Sequence, residues 1–137
     1  MAPMSALIRV RRIALALPGV NERMSHGEPC FFVVQNRPLC SFRNDHSGTR
    51  WISLWCPVPP GTQKEMVSAE PVRFFAPPIS SSGVFRDWLG VYLDTTGPHR
   101  VDWHEIAAMV EDAFRHAAPA SLIEELDHQP RARGTRS

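Results

Sequence analysis

Histidines, cysteines and the carboxylates near them are the groups in this sequence that could do chemistry at neutral pH, so their spacing is the first question. His26 with Glu28 and His46 with Asp45 stand close in sequence around predicted strands. Together they could line a small polar pocket for acid–base exchange or ligand binding, because imidazole titrates near neutrality. The competing reading gives these side chains only hydrogen bonds that order their loops. Zinc-type ligand spacing is missing, and His104-Glu105-Ile106-Ala107-Ala108 puts Ala108 where a His-Glu-x-x-His helix needs its second histidine. Cys30 near His26 has the composition of a nucleophile and its base, without a third residue to orient the base or an oxyanion-binding signal. Gly19, Gly27 and Gly48 stand singly in turns rather than in a phosphate-cradling run, so nucleotide hydrolysis is not indicated. No catalytic residue, metal ligand or cofactor is assigned, and a binding module is favoured over an enzyme.

Binding chemistry is better represented. Arg37, Arg43, Arg50 and Arg86 fall at predicted hairpin tips and strand edges, where guanidinium groups can fork onto phosphate oxygens. An ordinary solvated surface is the alternative for all four. Trp51, Trp55 and Trp88 lie on predicted strands and could stack under unpaired bases, although large aromatics in a one-core domain more often face its helices. The same tryptophans with His26, Glu28 and His46 make the second candidate, a pocket for a small molecule or a protein partner. The arginines at 131, 133 and 136 belong to a solvated tail.

Helical spacing of Ala6, Leu7, Val10, Ile13, Ala14 and Leu17 predicts a first helix that Pro18-Gly19 stops. A polar connection follows. Residues 30–35 and 38–43 then read as two strands joined at Asn36-Arg37, a hairpin that would set Cys40 opposite Val33. Trp51 to Cys56 predicts a third strand, with Ile52 and Leu54 on one face and Trp51, Ser53 and Trp55 on the other. A short helix over 61–70, a brief strand at Phe74-Phe75 and a last strand over 88–94 come next. From Asp102 an apolar stripe through Trp103, Ile106, Val110 and Phe114 predicts a long helix, opened by Asp102 with Glu105 as a relative of the capping box. Pro119 ends it, and a shorter helical piece over 122–127 follows. This order is not the strand-helix alternation of a doubly wound sheet, so an antiparallel sheet with helices on one side is expected.

These elements must fit within 137 residues, the size of one domain, here 1–127, with 128–137 as a flexible basic tail. A formal net charge of +1 shows no global bias toward nucleic acid. Its distribution is uneven: residues 1–50 carry seven arginines against three acids, and residues 101–127 carry Arg115 against seven acids. Cys30, Cys40 and Cys56 are too few and too widely spaced for a disulfide scaffold and read as reduced, partly buried thiols. With no signal-peptide pattern and no membrane-length apolar run, the expected location is the cytoplasm.

Four segments in order resemble the MmcQ/YjbR family: residues 16–20 with Ser25-His26-Gly27-Glu28-Pro29; Leu54-Trp55-Cys56 with Pro59-Pro60-Gly61; residues 69–75; and residues 88–94 leading to Val101-Asp102-Trp103. The resemblance spans about residues 7–123. It implies a two-layer CyaY-like α+β domain, an antiparallel sheet of about five strands with helices packed on one face and hairpins that protrude like wings. It also implies a DNA-binding role, with double-stranded DNA met through the arginine-bearing hairpins as the expected partner. The sequence leaves the oligomeric state open, with a monomer favoured, and no membrane partner is expected. Residues 77–87 look longer and richer in serine than the family's usual connection. Frataxin-like relatives of the fold hold iron on an acidic first helix, whereas this first helix carries Arg9, Arg11 and Arg12.

Overall fold

The structure, a computed structural model, describes residues 5–25, 27–44, 52–79, 83 and 85–129. Helix α1 (Ala6–Leu15) starts where the Ser5 hydroxyl accepts the Ile8 N–H at 3.2 Å. It buries Val10 and Ala14 and ends before Pro18-Gly19. Gly19 has φ +74°, so the turn calls for glycine, and a Cβ there would lie 2.5 Å from Leu122 Cδ1 and push that side-chain tip aside.

The predicted polar connection holds a strand, β1 (Val20–Ser25), antiparallel to β2 (Glu28–Val33) from Val20↔Val33 to Ser25↔Glu28. Its apolar content is low because it is an edge strand, and its polar residue on the helix side is paired: Arg11 of α1 clasps Glu22 at 2.8 and 2.9 Å. This edge strand brings the sheet to six strands.

Strand β3 (Arg37–Asn44) returns along β2 as the predicted hairpin. Leu39 is the extra residue of a bulge, so Cys40 lies opposite Phe31 rather than Val33. Val34 in the turn takes φ +61°, a strained setting for a β-branched side chain. Its N–H donates to Gly19 O at 2.8 Å and its carbonyl accepts from Asn21 Nδ2 at 2.6 Å, bonds that hold the turn against β1.

Strand β4 (Ile52–Pro57) pairs with β3, and helix α2 (Thr62–Ala69), strand β5 (Phe74–Phe75) and strand β6 (Trp88–Tyr92) complete an antiparallel sheet of order β1-β2-β3-β4-β6-β5. Helix α3 (Trp103–Ala117) is capped by Asp102, whose Oδ1 accepts the His104 and Glu105 N–H groups at 3.0 and 3.3 Å. Glu105 is held by Arg73 instead of closing a capping box. Helix α4 (Ala120–Asp127) packs Leu126 inward.

Strand alternation puts one set of side chains toward the helices, among them Phe31, Phe42, Leu54, Leu89 and Val91. They meet Val10 of α1 and Ile106, Val110 and Phe114 of α3 in a single core. Cys40 and Cys56 belong to this layer as free, buried thiols. A hydrogen bond to Cys56, and then burial, push the Cys40 thiol well above the ordinary range.

Candidate functional site

The alternate residues of the same strands face away from α1 and α3. Cross-strand partners share a face, so the registers Cys30↔Ser41, Ser41↔Trp55, Arg43↔Ser53, Ser53↔Tyr92 and Phe75↔Gly90 define this second surface. Trp55 and Trp88 belong to it rather than to the helix-side core, because Leu54, Cys56 and Leu89 take the helix side of those strands.

Gly90 is central to the packing here. A Cβ at Gly90 would sit 2.3 Å from the Phe75 ring, so the missing side chain lets Phe75 lie across β6. From there it reaches Tyr92 with ring centroids 4.7 Å apart and meets Trp55 edge-on at 6.3 Å. Phe85, in the turn before β6, makes edge-to-face contacts at 5.0 Å with both Trp55 and Trp88. Arg43 packs over this ring pair: its guanidinium carbon lies 4.2 Å from the Trp55 centroid and 5.5 Å from that of Phe85. Arg43 Nε donates to Ser41 Oγ at 3.0 Å, and among the described residues neither Nη atom has an acceptor. The Trp55 indole is fixed in turn by its N–H to Ser53 Oγ at 3.1 Å.

Two cavities open on this face, and Arg43 borders both. One, of about 380 Å³, is lined by Glu28, Arg43, Ser53, Trp55, Phe75, Pro78 and Tyr92. Glu28 Oε2 there accepts the Asn44 N–H at 3.3 Å. The other, of about 150 Å³, lies among Cys30, Phe32, Pro38, Phe85 and Trp88, where Cys30 Sγ is 3.2 Å from Ser41 Oγ. The arrangement offers flat apolar walls, one cation with unused donors and one carboxylate, which suits holding a ligand. Among the described residues no group of three His, Cys, Asp or Glu side chains could hold a metal ion, and no helix is long and apolar enough to cross a membrane.

Of the pocket residues expected from sequence, Glu28 and Trp55 come together in the larger cavity and Trp88 borders the smaller, while His26, His46 and Trp51 lie outside the described residues. The arginine set is not gathered onto one strip. Arg37 pairs with Val33 on the helix side and donates to Ala117 O at the end of α3 at 2.7 Å. Arg43 lies on the opposite face, six residues and roughly 20 Å along the strand. Arg86 is exposed in the turn before β6, and Arg50 is outside the described residues.

The YjbR family model matches residues 15–116, well over half of the chain. The chain belongs to the YjbR family. No curated protein matches it. Among solved structures it is similar to the crystal structure of Deinococcus radiodurans protein DR2400, a DUF419 domain, with TM-score 0.65, 17% identity and coverage of 92% of this chain and 91% of that one. At that identity the likeness shows the shared fold alone. Within this YjbR domain, sequence reasoning missed Phe75, Phe85 and Tyr92 as parts of the site. The available signal was strand parity: Ser53 and Trp55 were predicted to share a face, and Gly90 is the one glycine of β6, where a neighbouring ring can cross.

Proposed function

We propose that this YjbR domain is a binding module whose site is the helix-free face of the sheet, and that its ligand is a flat aromatic group carrying an acid. The observation that carries this reading is the Arg43 guanidinium, packed over Trp55 and beside Phe85 with its Nη donors unused among the described residues, where it borders both cavities. Rings stack on the aromatic walls, and the acid takes the guanidinium as a charge-assisted pair. A base with its phosphate in single-stranded nucleic acid and a free aromatic acid share that chemistry.

Intrinsic tryptophan fluorescence separates the two sources when the protein is titrated with oligothymidylate, with benzoate and with duplex DNA. A saturable change with oligothymidylate or benzoate, weakened about tenfold or more in both Arg43→Ala and Trp55→Ala, is the expected result. Duplex binding that survives both substitutions and falls with Arg37→Ala and Arg86→Ala would return the function to the hairpin arginines.

A further inference from the structure

The two cavities beside Arg43 differ in size and chemistry, and the difference limits the ligand. The larger one, about 380 Å³, is edged by Glu28, Ser53 and Tyr92. The smaller one, about 150 Å³, is walled by Phe32, Pro38, Phe85 and Trp88, with the Cys30 thiol at its side. That volume is the size of a benzene-like guest, and the cavity, which Ser41 and Arg43 also line, is partly open to solvent. A bicyclic ring system would need roughly half as much space again, and two of the walls, Phe85 and Trp88, are locked edge-to-face at 5.0 Å.

We infer that the small cavity is a subsite for a single six-membered aromatic ring, and that the ring's acid substituent points out to Arg43. The inference rests on the proposed site and narrows its ligand from flat aromatic acids in general to monocyclic ones. Charge fixes the orientation. Among the described residues the Nη atoms of Arg43, which borders the small cavity, have no acceptor, whereas Glu28 lines the larger cavity and would repel an acid placed deep in it. A ring in the small cavity with its acid at Arg43 avoids that repulsion and leaves a second substituent free to extend toward Tyr92.

Cys30 supplies a local readout, because it borders the small cavity and at 8% exposure is the most accessible of the three cysteines, whereas Cys40, which also borders it, and Cys56 are 1% and 0% exposed. Alkylation of the full chain by N-ethylmaleimide is followed by mass spectrometry of the Cys30 peptide, with benzoate, 2-naphthoate or acetate present. Benzoate at saturation is expected to slow Cys30 modification about tenfold, with acetate and 2-naphthoate changing it less than about twofold. Arg43→Gln, with its circular dichroism and melting temperature checked against the parent, is expected to weaken benzoate about tenfold to a hundredfold, the loss of one charge-assisted contact. Equal protection by 2-naphthoate, or benzoate binding that leaves Cys30 reactivity unchanged, overturns the ring subsite. If oligothymidylate still perturbs tryptophan in a manner dependent on Arg43 and Trp55, the site survives and only its ring limit falls. If neither oligothymidylate nor benzoate perturbs it, both fall.

Discussion

The two faces of one sheet are built from adjacent residues of the same strands, yet they solve different problems. On the helix side Phe31, Leu54 and Val91 are at most 2% exposed and close-pack against α1 and α3. On the other side Trp55, Trp88 and Tyr92 are only half-buried, a cation packs over the rings, and two cavities remain open. Close packing maximises burial and dispersion, whereas a surface that must accept a guest keeps part of its apolar area unfilled. The contrast teaches that aromatic content alone does not mark a core. Which side of the strand an aromatic takes, and whether a charge sits among its neighbours, decides that.

The largest expected effect tests the contrast directly. Phe31→Ala removes a side chain with no exposed area from the helix-side core and is expected to cost about 3–5 kcal/mol by chemical denaturation. Trp55→Ala, although it deletes a larger ring, is expected to cost under about 2 kcal/mol while weakening ligand binding about tenfold or more, because that ring is already partly solvated. Equal costs at the two positions would mean that both faces are core and that the cavities are packing faults.

Much of the first face was legible in the sequence. Helical spacing in 6–17 and 103–117 and the short apolar strands each bury surface through a period that a single chain displays. Strand β1 was hidden, since Val20-Asn21-Glu22-Arg23-Met24-Ser25 has little apolar content, and its place depends on a partner, Arg11, that lies eleven residues back from Glu22. The second face was legible only in part. Parity joined Ser53 to Trp55, but Phe75, Phe85 and Tyr92 come from separate segments whose meeting depends on sheet order β4-β6-β5, which no local pattern encodes. The placing of the arginines was hidden for a related reason: the bulge at Leu39 breaks the alternation along β3, so Arg37 and Arg43, six residues apart, take opposite faces, and Arg37 is drawn to the carbonyl end of α3.

A middle-sized effect examines how the open face keeps its shape. Gly90→Ala forces the Phe75 ring off β6 and is expected to cost about 1–3 kcal/mol, with a change in tryptophan emission as Phe75 leaves Trp55. In a Phe75→Ala background the same substitution should cost less than about 0.5 kcal/mol, since the ring it collides with is gone. An additive double mutant would show that the glycine serves the backbone and not the ring.

The smallest effect sharpens the contrast from the dry side. Cys40 sits in the helix-side layer, where its hydrogen bond to Cys56 and its burial both favour the protonated thiol. In the unfolded chain a cysteine ionises near about pH 8.5. Below that pH both states hold the proton, and the stabilisation from the raised pKa is fully present. Above it the unfolded chain has released a proton that the native chain retains, so stability falls as pH rises toward the native pKa, by at most about 1.4 kcal/mol per pH unit for this thiol. Unfolding free energies measured from pH 8 to pH 10 should therefore decline, and Cys40→Ala should flatten the decline by up to that slope even though it lowers stability overall. An unchanged slope in Cys40→Ala would mean that water reaches this thiol in the native state, and the claim that the helix-side layer is sealed would fail with it.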